Sequence, residues 1–221
     1  MSKELWSAVD GYIVSNLLPH DLVLEQALHS NAAAGLPSID VAPNQGKLLH
    51  LLARIQRAER ILEIGTLGGY STIWLARSLP ANGRLLTLEV NPHHAEIAAA
   101  NVARAGLSAI VDIRVGPAHE SLAALQLERT ASFDLIFIDA DKPNNPAYLD
   151  WALKLSHSGT LIIVDNVIRE GDVIQADSSD ARVQGSRRLF EDIAANPHLD
   201  ATALQTVGSK GHDGFVLAIV R

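Results

Sequence analysis

The stretch Arg60-Ile61-Leu62-Glu63-Ile64-Gly65-Thr66-Leu67-Gly68-Gly69-Tyr70-Ser71 decides the fold. A short apolar run enters a glycine-rich turn, and the residues from Tyr70 onward have a helical pattern. Such a run fits a strand buried on both faces of a parallel sheet. Glycines at 65, 68 and 69 allow a tight turn and a close approach of backbone to a ligand. After the helix, Arg84-Leu85-Leu86-Thr87-Leu88 reads as a second strand and ends at Glu89. A carboxylate at that point can accept hydrogen bonds from two ribose hydroxyls, so the whole reads as a nucleoside-binding arrangement.

Two further apolar runs also stop at acids. Phe133 to Ile138 ends at Asp139-Ala140-Asp141-Lys142, and Leu161 to Val164 ends at Asp165-Asn166. In an open α/β sheet the carboxyl ends of neighbouring strands face one crevice. Asp139, Asp165 and Asn166 can therefore converge as hard oxygen ligands for a divalent cation, with Lys142 beside it. A single aspartate at a strand end is more often a turn former; the second acid, the amide and the lysine together tip the reading toward chemistry. Asp141 is left out of the ligand set, since its side chain can point away from the metal. Glu63 lies within an apolar run and needs partners if buried.

Outward from these motifs the chain alternates strand and helix, as βαβ units do. Strands are expected near 61–64, 84–89, 110–115, 134–139 and 160–165, and helices near 70–79, 92–106, 117–126, 145–156 and 182–196. Asn91-Pro92 opens the second of these helices with a capping residue and a proline, and Gly106 ends it. Two late runs, 202–207 and 214–220, suggest an antiparallel hairpin joined by Gly208 to Asp213. The first sixty residues read as helices broken at Pro19 and around Gly35-Leu36-Pro37. One domain over 1–221 is expected, with a helical segment over 1–58 and an α/β core over 59–221.

Composition narrows the function classes. The chain has 221 residues, no cysteine, and 18 basic against 25 acidic side chains for a net charge of −7. Thiolate nucleophiles and zinc–thiolate sites are excluded. The scattered basic residues disfavour a nucleic-acid partner, and Arg187-Arg188 reads as a solvated helix face. No run is suited to a membrane span and the start shows no basic-then-apolar leader, so a cytoplasmic protein is expected. The histidines, including His93-His94, His119, His157, His198 and His212, have no metal-binding spacing and are read as surface. Trp74 is read as packing, while Tyr148 and Trp151 follow the Asp139 turn closely enough to suggest substrate contact. Lys210 can reach the crevice mouth or a second copy, and 169–173 is expected at the substrate rim.

Leu62 to Ser71, Phe133 to Lys142, and Val164-Asp165-Asn166-Val167, in this order, resemble the cation-dependent class I S-adenosylmethionine O-methyltransferases of the caffeoyl-CoA and catechol O-methyltransferase type. The resemblance spans Ile39 to Val220. It implies a Rossmann-like class I methyltransferase fold, with a seven-stranded, mostly parallel sheet, a C-terminal antiparallel hairpin and N-terminal helices. It further implies that Glu63, Gly65, Ser71 and Val41 surround the methionine part of S-adenosylmethionine, Glu89 the ribose, and Ala118 the adenine. Asp139 would both ligate metal and approach the methionine amino group, with Asp165 and Asn166 completing the protein ligands. Mg²⁺ is the expected ion, Mn²⁺ or Ca²⁺ the alternatives, and a catechol-like small molecule the acceptor; a homodimer is also implied. Methyl transfer to oxygen needs the oxyanion, yet a phenol has a reference pKa of about 10. A lysine beside a bound cation has its neutral form favoured and can take that proton, which makes Lys142 the candidate base.

Three other readings stand beside this one. Relatives within the same broad family methylate a hydroxylated uridine of tRNA, against which the acidic balance argues. A nicotinamide-dependent oxidoreductase would also use Glu89, but the turn lacks GxGxxG spacing. A non-catalytic nucleoside-binding protein would have no need of Asp139, Lys142, Asp165 and Asn166 together.

Overall fold

A computed structural model describes residues 2–221. Seven strands form one sheet: β1 (Arg60–Ile64), β2 (Arg84–Glu89), β3 (Val111–Val115), β4 (Phe133–Ile138), β5 (Ser156–Asp165), β6 (Leu199–Gly208) and β7 (Gly211–Val220). Their spatial order is β3-β2-β1-β4-β5-β7-β6, with β1 to β5 parallel and β7 antiparallel to both neighbours. The helices are α1 (Lys3–Leu17), α2 (Leu22–Ala33), α3 (Pro43–Ile55), α4 (Tyr70–Ala76), α5 (Pro92–Arg104), α6 (Ala118–Leu127), α7 (Asn145–Lys154) and α8 (Ala181–Ala195).

Strand alternation divides the apolar side chains between two cores. Leu62, Ile64, Ile136, Ile138, Ile162 and Val164 face one helical layer, and Ile61, Leu85, Leu135, Phe137, Leu161 and Ile163 face the other. Ile61, Leu62 and Ile64 are fully buried, each contributing about 1.5–3 kcal/mol relative to exposure. A strand covered on both faces explains the uninterrupted apolar runs. Trp74 belongs to the second core, lies edge-on to Tyr70 and sits directly over Gly46, where a β-carbon would collide with the indole. Packing is thus its role.

The chain winds outward from β1 through β2 to β3, then crosses to β4 and β5 on the other side. The carboxyl ends of β1 and β4 consequently flank the switch point at which open α/β sheets leave a crevice. Gly65 follows β1 there with φ +102°, and an added β-carbon would run into the carbonyl oxygen of Asp139. Both the dihedral and the close approach demand glycine.

The structure moves several expected boundaries. The hairpin strands are longer than 202–207 and 214–220, because His212 and Asp213 pair with Val207 and Thr206 and extend the ladder. Only Ser209-Lys210 remains as a turn; Asp10 of α1 accepts the Ser209 N–H at 2.7 Å, which holds that turn against the amino-terminal helix. β5 starts at Ser156, within the expected end of α7, because Phe133 N–H bonds Leu155 O and Thr160 Oγ1 accepts His157 N–H, so the ladder captures residues that read as helix. α4 stops three residues short of 79, ahead of Pro80. Among the described residues no helix is long and apolar enough to cross a membrane.

The switch-point glycine gives a direct test. Gly65→Ala should lose about 2–4 kcal/mol, from a left-handed backbone and overpacking against Asp139, measured as a lower urea midpoint at unchanged slope.

Candidate active site

At the carboxyl ends of the strands lies a cavity of about 740 Å³. Val41, Gly65, Ser71, Glu89, Ala118 and Asp139, all singled out from sequence, line it, together with Lys142 and Asn166. Glu63 and Asp165 do not. Glu63 is wholly buried behind the wall, and Asp165 lines a second cavity of about 380 Å³ that shares Asn166 and Arg169 with the first. Glu63 is thus a support for Ser71 and its neighbours in this structure, without a face on the cavity.

The end of β2 and the glycine turn form one unit. Glu89 Oε2 accepts the backbone N–H groups of Thr66 at 3.3 Å and Leu67 at 2.8 Å, while Oε1 accepts that of Asn91 at 2.9 Å. These bonds hold the carboxylate at the cavity wall with lone pairs left over, since an ionised carboxylate offers about four acceptor positions. Behind them, Ser71, Thr72 and Thr87 donate hydroxyls to Glu63 at 2.6, 2.5 and 2.7 Å. Burial pushes the Glu63 acid up to about 7 even though the three hydroxyl bonds favour the carboxylate. β1, β2 and the first turn of α4 are therefore tied through one buried acid.

At the other end of the cavity, Ile138 pairs with Val164, so Asp139 and Asp165 leave adjacent parallel strands side by side. Lys142 Nζ donates to Asp139 Oδ1 at 2.7 Å, and its side chain is only 9% exposed. Asp165 accepts from Asn166 N–H at 2.8 Å through Oδ1 and from Gln45 Nε2 at 2.6 Å through Oδ2. Burial, and then the charge of Asp139, raise the Asp165 acid to about 7; Lys142 acts in the opposite direction. The pair is short of positive charge. Asn166 has φ +55°, a left-handed backbone that asparagine tolerates better than most residues. Among the described residues no three His, Asp or Glu side chains gather as a metal cluster; an oxygen site here needs the Asn166 amide as its third protein donor.

Asp141 turns toward α7, accepting Tyr148 Oη and Asn144 Nδ2 at 2.5 Å each. Tyr148 lines the cavity, whereas Trp151 packs against the first core under Lys154, so only the tyrosine of that expected pair reaches the site.

Of the histidines read as surface, His94 and His119 line the cavity; His119 stays exposed there, and His94 does not. The His94 side chain is 20% exposed, with its Nδ1 3.5 Å from Glu89 Oε1. It stands in the first turn of α5, just after the acid that ends β2. Gln45 was also missed; 120 residues separate it from Asp165, and nothing local announces the contact. Lys210 reaches Ser38 O at 3.3 Å, at the rim of the second cavity.

A parallel sheet with an antiparallel hairpin, a glycine turn after β1 and an acid after β2 define the class I methyltransferase fold. The O-methyltransferase family model matches residues 15–219, and the chain belongs to that family. It is 52% identical to a catechol O-methyltransferase of Niastella koreensis over 100% of both chains. The crystal structure of an O-methyltransferase from Bacillus cereus in complex with SAH is similar, with a TM-score of 0.99, 59% identity and 100% coverage of both. So is that of an O-methyltransferase of tomaymycin synthesis from Streptomyces achromogenes in complex with SAM, with a TM-score of 0.96, 50% identity and coverage of 100% and 99%. The nicotinamide reading is overturned by this membership.

The buried acid sets a pH signature. Glu63 ionises near 4.5 in an unfolded chain and at about 7 in the fold, so stability from this group is full below the lower value and declines as pH rises to the higher one. Unfolding midpoints measured across that window should fall less steeply for Glu63→Gln than for the wild type.

Proposed function

We propose that the enzyme transfers the methyl group of S-adenosylmethionine to one hydroxyl of a catechol-like, vicinal dihydroxy aromatic small molecule, with a divalent cation held by Asp139, Asp165 and Asn166. One observation carries this reading: a single cavity has a ribose-type acceptor, Glu89, at one end and the Lys142–Asp139 pair beside Asn166 at the other. Support for the cofactor comes from SAH and SAM in the two similar crystal structures, and for the acceptor from the catechol O-methyltransferase relative.

The donor set fits a hard dication. Burial and the nearby Asp139 raise the cost of ionising Asp165, which an added positive charge relieves, and the Asn166 side chain makes no hydrogen bond among the described residues. Oxygen donors of this kind suit Mg²⁺, with Mn²⁺ or Ca²⁺ as alternatives. When bound, S-adenosylmethionine supplies a methyl group activated on a sulfonium, and the cation supplies Lewis-acid stabilisation of a phenol oxygen.

The chain's residues have separate tasks. Glu89 accepts the ribose hydroxyls, and Gly65, Ser71, Val41 and Asp139 border the methionine part, with Ala118 near the adenine. Glu63 acts through Ser71 and Thr72, fixing the first turn of α4. Lys142 takes the proton of the reacting hydroxyl at Nζ, since a phenol with a reference pKa of about 10 is mostly protonated at neutral pH. Asp139 holds Lys142 on the cavity side of its turn. Orientation of oxygen against methyl carbon and sulfur provides the remaining acceleration.

Three variants separate these tasks. Lys142→Ala should lose about 10²–10⁴-fold in kcat and keep SAH affinity by calorimetry. Glu89→Ala should weaken SAH binding, and Asp165→Ala should weaken Mn²⁺ binding read by electron paramagnetic resonance. Catechol turnover by metal-stripped enzyme, undiminished in excess chelator, would overturn the metal assignment.

A further inference from the structure

We infer that the acceptor carries a carboxylate in addition to its vicinal diol, and that Arg169 recognises it. This inference rests on the function proposed above and names the class of acceptor. Arg169 stands three residues beyond Asn166 and lines both cavities, so it occupies the boundary between the chamber holding Lys142 and the second one. Its side chain makes no hydrogen bond among the described residues, and its Nε is buried without a partner. Arg182, the other arginine lining the large cavity, is occupied, donating Nε and Nη2 to Asp180, the latter at 2.6 Å. Because Nε is buried away from the cavities, the two Nη groups are the donors left open, and a carboxylate can accept from both with two parallel bonds.

The backbone presents this side chain under constraint. Arg169 and Glu170 both have left-handed φ, +54° and +58°, an uncommon state for consecutive residues other than glycine. Asp213 pins the turn, its Oδ1 accepting the N–H groups of Ile168 at 3.0 Å and Arg169 at 3.1 Å, with that of Gly214 at 3.0 Å. Its Oδ2 lies 3.6 Å from Arg169 Nη1, outside hydrogen-bonding range, so it offsets the guanidinium charge in part and leaves the donors open. The acids that line the large cavity are engaged elsewhere: Asp141 by Tyr148 and Asn144, Asp40 by Asn31 Nδ2 at 2.8 Å, Asp139 by Lys142, and Glu89 by the N–H groups of Thr66, Leu67 and Asn91. This half-buried guanidinium, with both Nη groups open, therefore faces the chamber that would hold the acceptor ring.

The test compares 3,4-dihydroxybenzoate with the neutral 3,4-dihydroxybenzyl alcohol and the cationic 3,4-dihydroxybenzylamine, at saturating S-adenosylmethionine and Mg²⁺. The wild type should favour the carboxylate over the alcohol by about tenfold or more in kcat/KM, and the amine should be poorest. Arg169→Gln should reduce the carboxylate-to-alcohol ratio by about tenfold, chiefly through KM, and Arg169→Lys should restore part of it. Calorimetry of dihydroxybenzoate binding to the SAH–Mg²⁺ complex should show the same order without turnover. Equal losses on both acceptors in Arg169→Gln and Arg169→Lys, or no wild-type preference, would overturn the inference while leaving diol methylation intact. Failure to methylate any of the three diols would overturn the proposed function and this inference with it.

Discussion

Two carboxylates leaving adjacent parallel strands side by side are the constraint on which this site depends. Parallel pairing of β4 with β5 aligns Ile138 with Val164, so the partly exposed Asp139 and the buried Asp165 emerge as neighbours. Like charges so placed resist ionisation together unless positive charge joins them. The protein supplies Lys142 to Asp139 and a neutral amide, Gln45, to Asp165. A dication at this position would complete what the lysine begins.

The cofactor half is rigid for a different reason. Glu63 pairs with Thr87, two residues before Glu89, so one acid lies behind the wall and the other on it, and each gathers donors from separate segments. Glu89 ties the end of β2 to the turn after β1 through backbone N–H groups, and Glu63 ties β1 to β2 and α4 through hydroxyls. Loop and helix thus start from fixed points, and at Gly65 the turn passes directly against the Asp139 backbone. The two halves of the cavity meet at that contact.

Much of this was legible in the chain. Apolar runs ending in Gly65, Glu89, Asp139 and Asp165 are local signals, because a strand buried on both faces requires an unbroken apolar segment and its carboxyl end is where polar groups can return. The hairpin ends and the start of β5 were less so: His212, Asp213 and Ser156 look like turn residues, and only pairing with a partner strand makes them extended. His94 was misread since its neighbour Glu89 becomes visible as a partner only when α5 folds back over the end of β2.

What the sequence determined by itself was the alternating α/β plan, the glycine turn and the acids at the strand tips, since each follows from periodicity and side-chain chemistry within a few residues. The tertiary structure alone decided which groups share an environment. Gln45 meets Asp165, Asp10 meets the hairpin turn and Arg169 keeps open donors on the cavity wall, because these depend on contacts between segments far apart in the chain and on which polar atoms are left without partners after packing.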